Sequence, residues 1–410
     1  MPLFPTITAA DSPAANSPAA NSPAHHTGQR PRLLFLVTED WYFWSHRLPV
    51  ARAARDAGFE VVVAARVEVH GERIADEGFR VQPLRWRRRG DGIAGGVRAL
   101  IEIARLYRRE RPDIVHHVAL KPVLFGGAAA RLAFPLGGGP ARIAAVTGLG
   151  AGFAAATPLA GIARVALQQG LRVAVTGSRI IVQNPEDGVA LARLGVMPGR
   201  VTLIPGSGVD TGHFAPLPPP PGPRVTVAFV ARMLRSKGVL DAAAAVRSLR
   251  GGGLDIALLL AGPTDPDNGD SLDAGAMATL AAEPGIEWLG RVEDVREVWR
   301  RAAIAVLPST YGEGVPKALL EAAACGRAIV ASDMPGCRDV VRHGHSGLLT
   351  PPHDIAALAD ALAMLARDPG QRQAMGEAGR KRVEQEFGED RIARETLALY
   401  HQVLRDRKGT

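Results

Sequence analysis

The sequence predicts an α/β protein built from two doubly wound, Rossmann-like domains, each with a parallel sheet covered by helices. Short, continuously apolar segments alternate with helical stretches, which is typical of strands buried on both faces. This alternation occurs twice, before and after the segment APLPPPPGP at 215–223, through which no helix or central strand can continue. The length of 410 residues also exceeds what one hydrophobic core usually supports.

The first domain is predicted for residues 31–205. Helical stretches such as LPVARAARDAG and IEIARLYRRE lie between its apolar segments. Because strands that alternate with helices form parallel sheets, this region is expected to be doubly wound. The predicted strands are LLFLV (33–37), EVVVAA (60–65), DIVHHV (113–118), RIAAVT (142–147) and RIIVQN (179–184).

The second domain is predicted for residues 224–385, after an interdomain linker at 206–223. Residues 386–410 include EDRIARETLALYHQVLRDR, whose apolar positions have helical spacing and predict a long amphipathic helix. Ligands of doubly wound sheets bind outside the carboxyl ends of the strands, so the site is expected there. The predicted strands are VTVAFVA (225–231), IALLLAG (256–262), IEWLG (286–290), IAVLPS (304–309) and AIVAS (328–332).

Residues 1–30 are predicted to be a disordered tail, because they repeat SPAAN and contain few bulky apolar side chains. The tail lacks the apolar run of a secretory signal. Elsewhere every long apolar stretch is broken by charge, proline or glycine, so no membrane-spanning helix is predicted. Cys325 and Cys337 fit neither a redox pair nor a zinc site, which favours a reducing cytoplasm.

Net charge favours anionic partners, since 49 Lys and Arg outnumber 41 Asp and Glu. The sequence lacks zinc-finger spacing, aromatic RNA-binding motifs and basic heptads, which disfavours nucleic acid. Two basic clusters could face an acidic membrane or could form a solvated surface. They are Arg85 with Arg87, Arg88 and Arg89 around Trp86, and Arg105, Arg108, Arg109 and Arg111.

The segment ARMLRSKG at 231–238 predicts an anion site. It places Arg232 and Lys237 after the first strand of the second domain and before a helix that begins near Gly238. Two cations beside the unpaired amides of a helix N-terminus suit a diphosphate. The alternative is that each cation pairs with a surface acid.

The segment YGEGVPKALLEAAACG at 311–326 holds two acids separated by seven residues. Glu313 lies in a predicted loop, and Glu321 lies more than one turn inside a predicted helix. Pro316 suits the first turn of that helix and Gly326 suits its end. Because any acid is favoured near a helix N-terminus, Glu313 alone would indicate only a helix-end charge.

Together these segments resemble the family 4 glycosyltransferases, which have the GT-B fold with two domains facing a cleft. STYGEGVPKALLEAAACGRAIVASDMPG is similar to the acid-x7-acid signature, ARMLRSKGV to the phosphate site, LIPGSGVDTGHF (203–214) to the interdomain segment and IEWLGRVEDV to the base-binding stretch. WSHRLPVA, HHVALKPVLFG and VTGLGAGF resemble bacterial enzymes that build capsule, O-antigen or exopolysaccharide units on a polyprenyl diphosphate carrier.

The resemblance implies a retaining transfer of a hexose or N-acetylhexosamine from a nucleotide sugar, expected to be UDP-linked, without an obligatory metal. It also implies that the C-terminal helix crosses back to the first domain. Arg232 and Lys237 would neutralise the diphosphate, Glu321 would bind the ribose, and Glu313 would contact the donor sugar. The further donor-binding residues implied are Gly314, Val315, Lys317, Ala318 and Leu289.

The chain departs from the family pattern in three places. Val315 and Pro316 replace an aromatic residue and a glycine, so one backbone donor is missing and the amides of Lys317 and Ala318 would substitute. TEDWYFWSHR replaces a Gly-Gly loop, and VTGLG replaces a frequent histidine. The acceptor-side candidates are His46, Arg47, His116, His117, Lys121 and Gly148, with a buried structural role as the alternative for the paired histidines.

Asp265-Pro266-Asp267 looks like the DxD motif of metal-dependent glycosyltransferases, but it lies in the second domain, in a turn whose composition needs no metal. The resulting hypothesis is a peripheral enzyme at the inner face of the cell membrane that glycosylates a lipid-linked or saccharide acceptor. A UDP-sugar 2-epimerase of the same fold and a non-catalytic partner subunit are the alternatives. The presence of both glutamates, Arg232 and Lys237 argues against the non-catalytic partner.

Overall fold

The computed structural model describes residues 30–86, 92–149 and 158–408. The chain divides into two compact units. Unit 1 comprises Met1–Val146, Val165–Ile204 and Ala393–Thr410, and unit 2 comprises Thr147–Arg164 and Pro205–Ile392. The predicted tail at 1–30 lies outside the described residues except for Arg30, and so do Arg87, Arg88 and Arg89.

Unit 1 contains a seven-stranded parallel sheet in the order β3-β2-β1-β4-β5-β6-β7. Each predicted strand of this region is present, and the alternation of strands with helices is that of a doubly wound sheet. Its core includes Phe35, Trp86 and Tyr107, which are almost fully buried. The strands are β1 Arg32–Glu39, β2 Glu60–Arg66, β3 Arg80–Pro83, β4 Ile114–Val118, β5 Ala141–Val146, β6 Arg179–Val182 and β7 Val201–Leu203.

Helices of unit 1 connect these strands. Pro49 lies in the first turn of α2, where its missing N–H costs no hydrogen bond. The long helix α4 contains the predicted IEIARLYRRE segment. The helices are α1 Asp40–His46, α2 Leu48–Asp56, α3 Gly71–Asp76, α4 Gly92–Glu110, α5 Leu120–Ala133, α6 Pro158–Val175 and α7 Pro185–Arg193. The residues of α6 up to Arg164 group with unit 2.

Unit 2 contains a six-stranded parallel sheet in the order β10-β9-β8-β11-β12-β13. Its core packs Phe229 and Trp299 among aliphatic side chains from both faces of the sheet. The proline run at 215–223 contains no helix or strand, and Arg327 donates to the Pro218 carbonyl oxygen at 2.8 Å. The strands are β8 Val225–Val230, β9 Ile256–Ala261, β10 Ile286–Trp288, β11 Ile304–Leu307, β12 Ala328–Ser332 and β13 Leu348–Thr350.

The helices of unit 2 complete its doubly wound form, and the last helix returns to unit 1. They are α8 Val239–Gly251, α9 Ala274–Ala281, α10 Arg296–Arg301, α11 Lys317–Ala324, α12 Cys337–Val340, α13 Ile355–Arg367, α14 Pro369–Glu386 and α15 Glu389–Lys408. Tyr400 of α15 is fully buried, and its hydroxyl lies 2.6 Å from Nδ1 of His116 on β4. The predicted return of the C-terminal helix to the first domain is therefore confirmed.

Candidate active site

Two loops of unit 2 converge at the carboxyl ends of β8 and β11. These strands are neighbours in the sheet, with Ile304 paired to Val227. Arg232 and Lys237 follow β8, whereas Glu313 follows β11. Because both strands are parallel, their carboxyl ends lie at the same edge, which brings residues from distant parts of the sequence together.

The first contact of the site joins Lys237 to Glu313. The ammonium of Lys237 forms an ion pair with Oε2 of Glu313, and the Ser309 hydroxyl donates to Oε1 of the same carboxylate. The side chains of Lys237 and Glu313 are only 15% and 10% exposed. Burial opposes the charge on Lys237, but the Glu313 carboxylate holds the pKa of Lys237 above its usual value. Lys237 is therefore a cation at physiological pH.

The second contact joins Arg232 to Asp265, which follows β9. The Arg232 guanidinium forms an ion pair with Oδ2 of Asp265, and the Arg232 side chain remains 32% exposed. The backbone N–H of Asp265 lies 2.9 Å from the Ser271 hydroxyl oxygen, which fixes the position of the acid. Both predicted cations thus pair with acids, but one partner is the predicted site residue Glu313 and the other belongs to the adjacent loop.

Asp265 and Ser309 are site residues that the sequence interpretation missed. Asp265 was assigned only to a turn, and fully buried Ser309 was not singled out. Asp265 follows β9 and Ser309 follows β11, and both strands neighbour β8. The signal that could have identified them is the rule that residues after adjacent parallel strands share one edge.

Glycines at two positions allow the loops to approach this closely. Gly238 has φ +78°, and a β-carbon there would lie 2.1 Å from the Pro308 carbonyl oxygen. Gly336 has φ +86°, and a β-carbon there would lie 1.7 Å from the Gly314 carbonyl oxygen. Any side chain at either position would clash with backbone, so these glycines are needed for the shape of the site.

The start of α11 presents backbone donors beside the acid loop, which is the segment between β11 and α11 that contains Glu313. Pro316 caps this helix with φ −66° and ψ 114°, so it lies just before the first turn and not within it as expected. The N–H groups of Lys317 and Ala318, the first two helical residues, have no intrahelical acceptor. Gly326, at φ +72°, follows the end of the helix as predicted. The arrangement suits binding of an anion at the helix start.

Glu321 lies within α11 and is largely buried, with 12% of its side chain exposed. Its Oε1 atom lies 3.9 Å from Nζ of Lys317. Burial raises the pKa of Glu321 to about 7, although the Lys317 charge acts in the opposite direction. The carboxyl group therefore changes its charge near physiological pH, a property common in functional sites.

The remaining donor-side candidates are Val315, Gly314 and Leu289. Val315 is 8% exposed, and its side chain packs into the core. Gly314 is buried beside Gly336. Leu289 follows β10, is half-buried, and donates its N–H to the Leu260 carbonyl oxygen at 2.9 Å.

The pair His116 and His117 lies in the core of unit 1, at 0% and 1% exposure. Nδ1 of His116 is hydrogen-bonded to Tyr400, and Nε2 of His117 lies 2.9 Å from the Tyr107 hydroxyl. Burial, followed by the charge of Arg142, lowers the pKa of His117 to about 3. Burial likewise holds the pKa of His116 well below its usual value. Of the two alternatives predicted for these histidines, the structure supports the buried structural role and not an accessible acceptor-side base, because β4 is central and covered on both faces.

His46 and Arg47 end α1, after β1. His46 is half-buried, stacks on Tyr42 at 4.2 Å and lies 2.6 Å from the Ser45 hydroxyl. Arg47 is only 2% exposed, and its Nε and Nη2 atoms have no hydrogen-bond partner among the described residues. The turn between α1 and α2 packs the Arg47 side chain inward, and its role as an acceptor-side residue stays a prediction.

Lys121 and Gly148 complete the acceptor-side candidates. Nζ of Lys121 lies over the rings of Trp86 and Phe125, at 5.3 and 5.8 Å from their centroids. These rings stabilise the ammonium through cation–π contacts. Gly148 groups with unit 2, has φ +112°, and a β-carbon there would lie 2.7 Å from the Gly314 nitrogen. Gly148 therefore lies against the acid loop.

Two family descriptions match the chain in succession. Residues 32–184 match the glycosyl transferase 4-like family, and residues 224–368 match the glycosyl transferases group 1 family. The first match covers strands β1 to β6 of the sheet in unit 1, and the second covers all six strands of the sheet in unit 2.

Curated relatives include bacterial enzymes of glycan synthesis. The alpha-maltose-1-phosphate synthase of Mycolicibacterium smegmatis is 32% identical over 227 residues, which cover 50% of this chain and 58% of that relative. The chain thus aligns with little more than half the length of this relative. The N,N'-diacetylbacillosaminyl-diphospho-undecaprenol alpha-1,3-N-acetylgalactosaminyltransferase of Campylobacter jejuni is 24% identical, over 92% of this chain and 100% of its own length.

Among solved structures, an Anabaena protein, HepE, in complex with UDP and glucose has a TM-score of 0.71. It is 16% identical, and the match covers 91% of this chain and 100% of HepE. At 16% identity the similarity shows only that the two proteins share a two-domain fold.

Proposed function

We propose that this chain, which belongs to the glycosyl transferase 4-like and group 1 families and has the GT-B fold, transfers a sugar from a UDP-sugar to an acceptor. The observation that carries the proposal is the convergence of Arg232, Lys237, Glu313 and the start of α11 at the carboxyl ends of β8 and β11. Two cations and helix amides suit a diphosphate, and the acid beside them suits the sugar.

Charge neutralisation is the main catalytic task in the proposed reaction. As the bond between the anomeric carbon and the diphosphate breaks, negative charge grows on the leaving group and positive charge grows on the sugar ring. Arg232 and Lys237 stabilise the leaving diphosphate without a bound metal, and the diphosphate replaces Asp265 and Glu313 as their partner. Glu313, held by Ser309, is then placed to contact sugar hydroxyls. The proposed outcome is retention at the anomeric carbon.

Glu321 has a different role in this proposal, because it lies more than one turn inside α11. Its carboxylate accepts hydrogen bonds from the ribose hydroxyls of the nucleotide. Binding favours the ionised form of Glu321, because a hydrogen bond to a charged acceptor is stronger than one to a neutral acceptor. The nucleotide thus offsets the cost of burying this charge.

The acceptor is proposed to be a glycan linked to a polyprenyl diphosphate, in the synthesis of a cell-surface polysaccharide. Support comes from the full-length match to the Campylobacter jejuni enzyme, whose name specifies a diphospho-undecaprenol substrate. The sugar is proposed to be a hexose or N-acetylhexosamine. A free saccharide acceptor is the alternative within the same reaction class.

Membrane association is proposed to occur through one face of α4 at the cytoplasmic surface. A groove of about 700 Å³ beside edge strand β3 is lined by Arg85, Arg98, Arg105 and Arg109. On the same helix Val97 and Ile101 are 51% and 38% exposed. Basic and apolar side chains together suit the interface of an anionic bilayer. Across the described ranges, the helices are too short or too polar to traverse a bilayer.

We expect the purified protein to bind vesicles that contain phosphatidylglycerol and to dissociate as salt is raised, since surface charge is screened within about 10 Å at 0.1 M salt. The double variant R98Q/R105Q should lose most of this binding in a vesicle co-sedimentation assay. Both side chains are exposed, so the fold should be unaffected. R193Q, which removes an exposed arginine from α7, is the control. Equal binding to neutral and anionic vesicles would contradict the electrostatic proposal.

An acceptor-dependence assay tests the proposed activity. Nucleotide sugars are first screened for thermal stabilisation, because a ligand of the native state raises apparent stability by mass action. The stabilising donor is then incubated with and without an undecaprenyl diphosphate-linked saccharide, and released UDP and glycosylated product are measured. UDP release that requires the acceptor supports transfer. Acceptor-independent conversion of the donor would indicate an epimerase, and nucleotide binding without turnover would indicate a non-catalytic partner.

A further inference from the structure

Three arginines lie side by side at the amino edge of the sheet in unit 1. Arg142 is the second residue of β5, Arg179 is the first residue of β6, and Arg200 immediately precedes β7. These strands are neighbours, and their register pairs Ile143 with Arg179. This edge is opposite to the carboxyl ends at which doubly wound sheets bind their principal ligands. The three arginines belong to unit 1, whereas the residues proposed to bind the donor belong to unit 2.

The arginines surround a cavity of about 490 Å³. Met197 lines one side and Val403, from α15, lines another. Met197 is 61% exposed, which leaves apolar surface at the cavity mouth. The cavity therefore offers guanidinium groups together with apolar surface.

Positive charge in this cavity is only partly compensated. Among the lining residues Asp406 is the one acid, and it pairs with Arg179 at 2.8 Å. Within the described part of the chain, Arg142 and Arg200 have no carboxylate partner. Arg131, on α5, adds a further positive charge that acts on Arg142. Burial is the main cause that lowers the pKa of Arg142, and the charges of Arg131 and Arg200 lower it further.

Capping of helix and turn carbonyls explains part of the cluster. Arg142 donates to the Thr176 carbonyl oxygen at 3.0 Å, just after α6, and Arg179 donates to the Gly199 carbonyl oxygen at 2.9 Å. Such contacts are common at helix C-termini. They do not explain Arg200, because its guanidinium contacts neither of these carbonyl oxygens. They also do not explain the cavity that the three side chains share.

We propose that this cavity is a second anion site, which binds a phosphate or diphosphate group carried by a small molecule or a lipid headgroup. Arg142 and Arg200 supply planar donor pairs that match phosphate oxygens, and Arg179 adds charge beside them. Met197 and Val403 contact the apolar part of the ligand. The proposal concerns unit 1 and goes beyond the transfer reaction proposed for unit 2.

Calorimetry with inorganic pyrophosphate tests the site. The R232Q background weakens the proposed donor site, so the remaining binding reports on other sites. In this background we expect R200Q to weaken pyrophosphate binding at least tenfold. R193Q, made in the same background, is the matched control, because Arg193 is an exposed arginine of unit 1 outside the cavity. Co-sedimentation of the same variants with vesicles containing phosphatidic acid provides a second arm.

If R200Q loses pyrophosphate binding, a soluble phosphate compound is sufficient to occupy the site. If R200Q loses only vesicle binding, the ligand is a lipid headgroup. If R200Q matches R193Q in both arms, the second site does not exist. UDP titration of the otherwise wild-type R200Q protein distinguishes this outcome from failure of the proposed function. If the R200Q protein binds UDP normally and R200Q does not change pyrophosphate affinity, only the second site is overturned. If the R200Q protein does not bind UDP but R200Q still weakens pyrophosphate binding, only the donor assignment is overturned.

Discussion

Replacing Lys237 with glutamine should lower kcat/KM for sugar transfer by about 10²–10³, equivalent to about 2.7–4 kcal/mol of transition-state stabilisation. Lys237 is a buried cation that Glu313, in the loop before α11, keeps charged. A preorganised charge in a protected site stabilises the leaving diphosphate more than an exposed charge would. The measurement is steady-state transfer with the donor identified by thermal stabilisation.

R235Q is the matched control for this variant. Arg235 lies in the same short helical turn, Arg235–Lys237, but its side chain is exposed. Loss of a nearby surface charge should change kcat/KM by less than about threefold, since exposed charges are screened by solvent. If K237Q and R235Q lose activity equally, or if K237Q keeps wild-type turnover, Lys237 has no specific catalytic role and its pair with Glu313 is only structural.

Replacing Glu321 with glutamine should weaken UDP binding while making the ligand-free protein more stable. The binding loss is expected to be about 1.5–3 kcal/mol, the usual contribution of a hydrogen bond to a charged group. The wild-type affinity should also fall as pH is lowered through about 7, because protonation of Glu321 removes the ionised acceptor. UDP calorimetry between pH 6 and pH 8 should show this dependence in the wild type and not in E321Q.

The gain in stability follows from the raised pKa of Glu321. Its value of about 7 in the folded protein exceeds the ordinary value of 4.5, so between these pH values the folded state binds more protons than the unfolded state. The free energy of unfolding therefore falls as pH rises from about 4.5 to about 7, and the loss persists above pH 7. E321Q should remove this loss, a gain on the order of 3 kcal/mol at pH 8 and near zero at pH 4.

Chemical denaturation of the wild type, E321Q and E377Q at both pH values measures the effect. Glu377 is an exposed acid of α14 in the same unit, so E377Q should change stability little at either pH. Equal stability of E321Q and wild type at pH 8 would show that burial of the ionised Glu321 does not lower the free energy of unfolding. UDP binding unchanged in E321Q would remove Glu321 from the ribose site.

Local sequence pattern predicted the strands that carry long apolar runs. The segments that became β1, β4 and β12 are buried along most of their length, so hydrophobicity alone identifies them. β3, β7 and β13 were missed. All three lie at sheet edges and have only three or four residues, so they lack the apolar run that marks a central strand.

The sequence by itself determined that the chain forms two doubly wound domains, and it placed Arg232, Lys237 and Glu313 in loops after strands and Glu321 inside a helix. These features depend on hydrophobic period, helix capping and the backbone limits of proline and glycine, which are local properties. The resemblance of several segments to family 4 glycosyltransferases then suggested the chemistry that these residues perform.

Only the tertiary structure decided which groups meet and which are removed from water. Lys237 pairs with Glu313 from 76 residues away, and Arg232 pairs with Asp265 from 33 residues away. The sequence left a buried role open for His116 and did not specify the burial of Arg47, and packing around β4 and α1 buries both. Burial and ion pairing depend on neighbours that the fold supplies from distant segments, so no local pattern could specify the charge state of Lys237 or the pKa of Glu321.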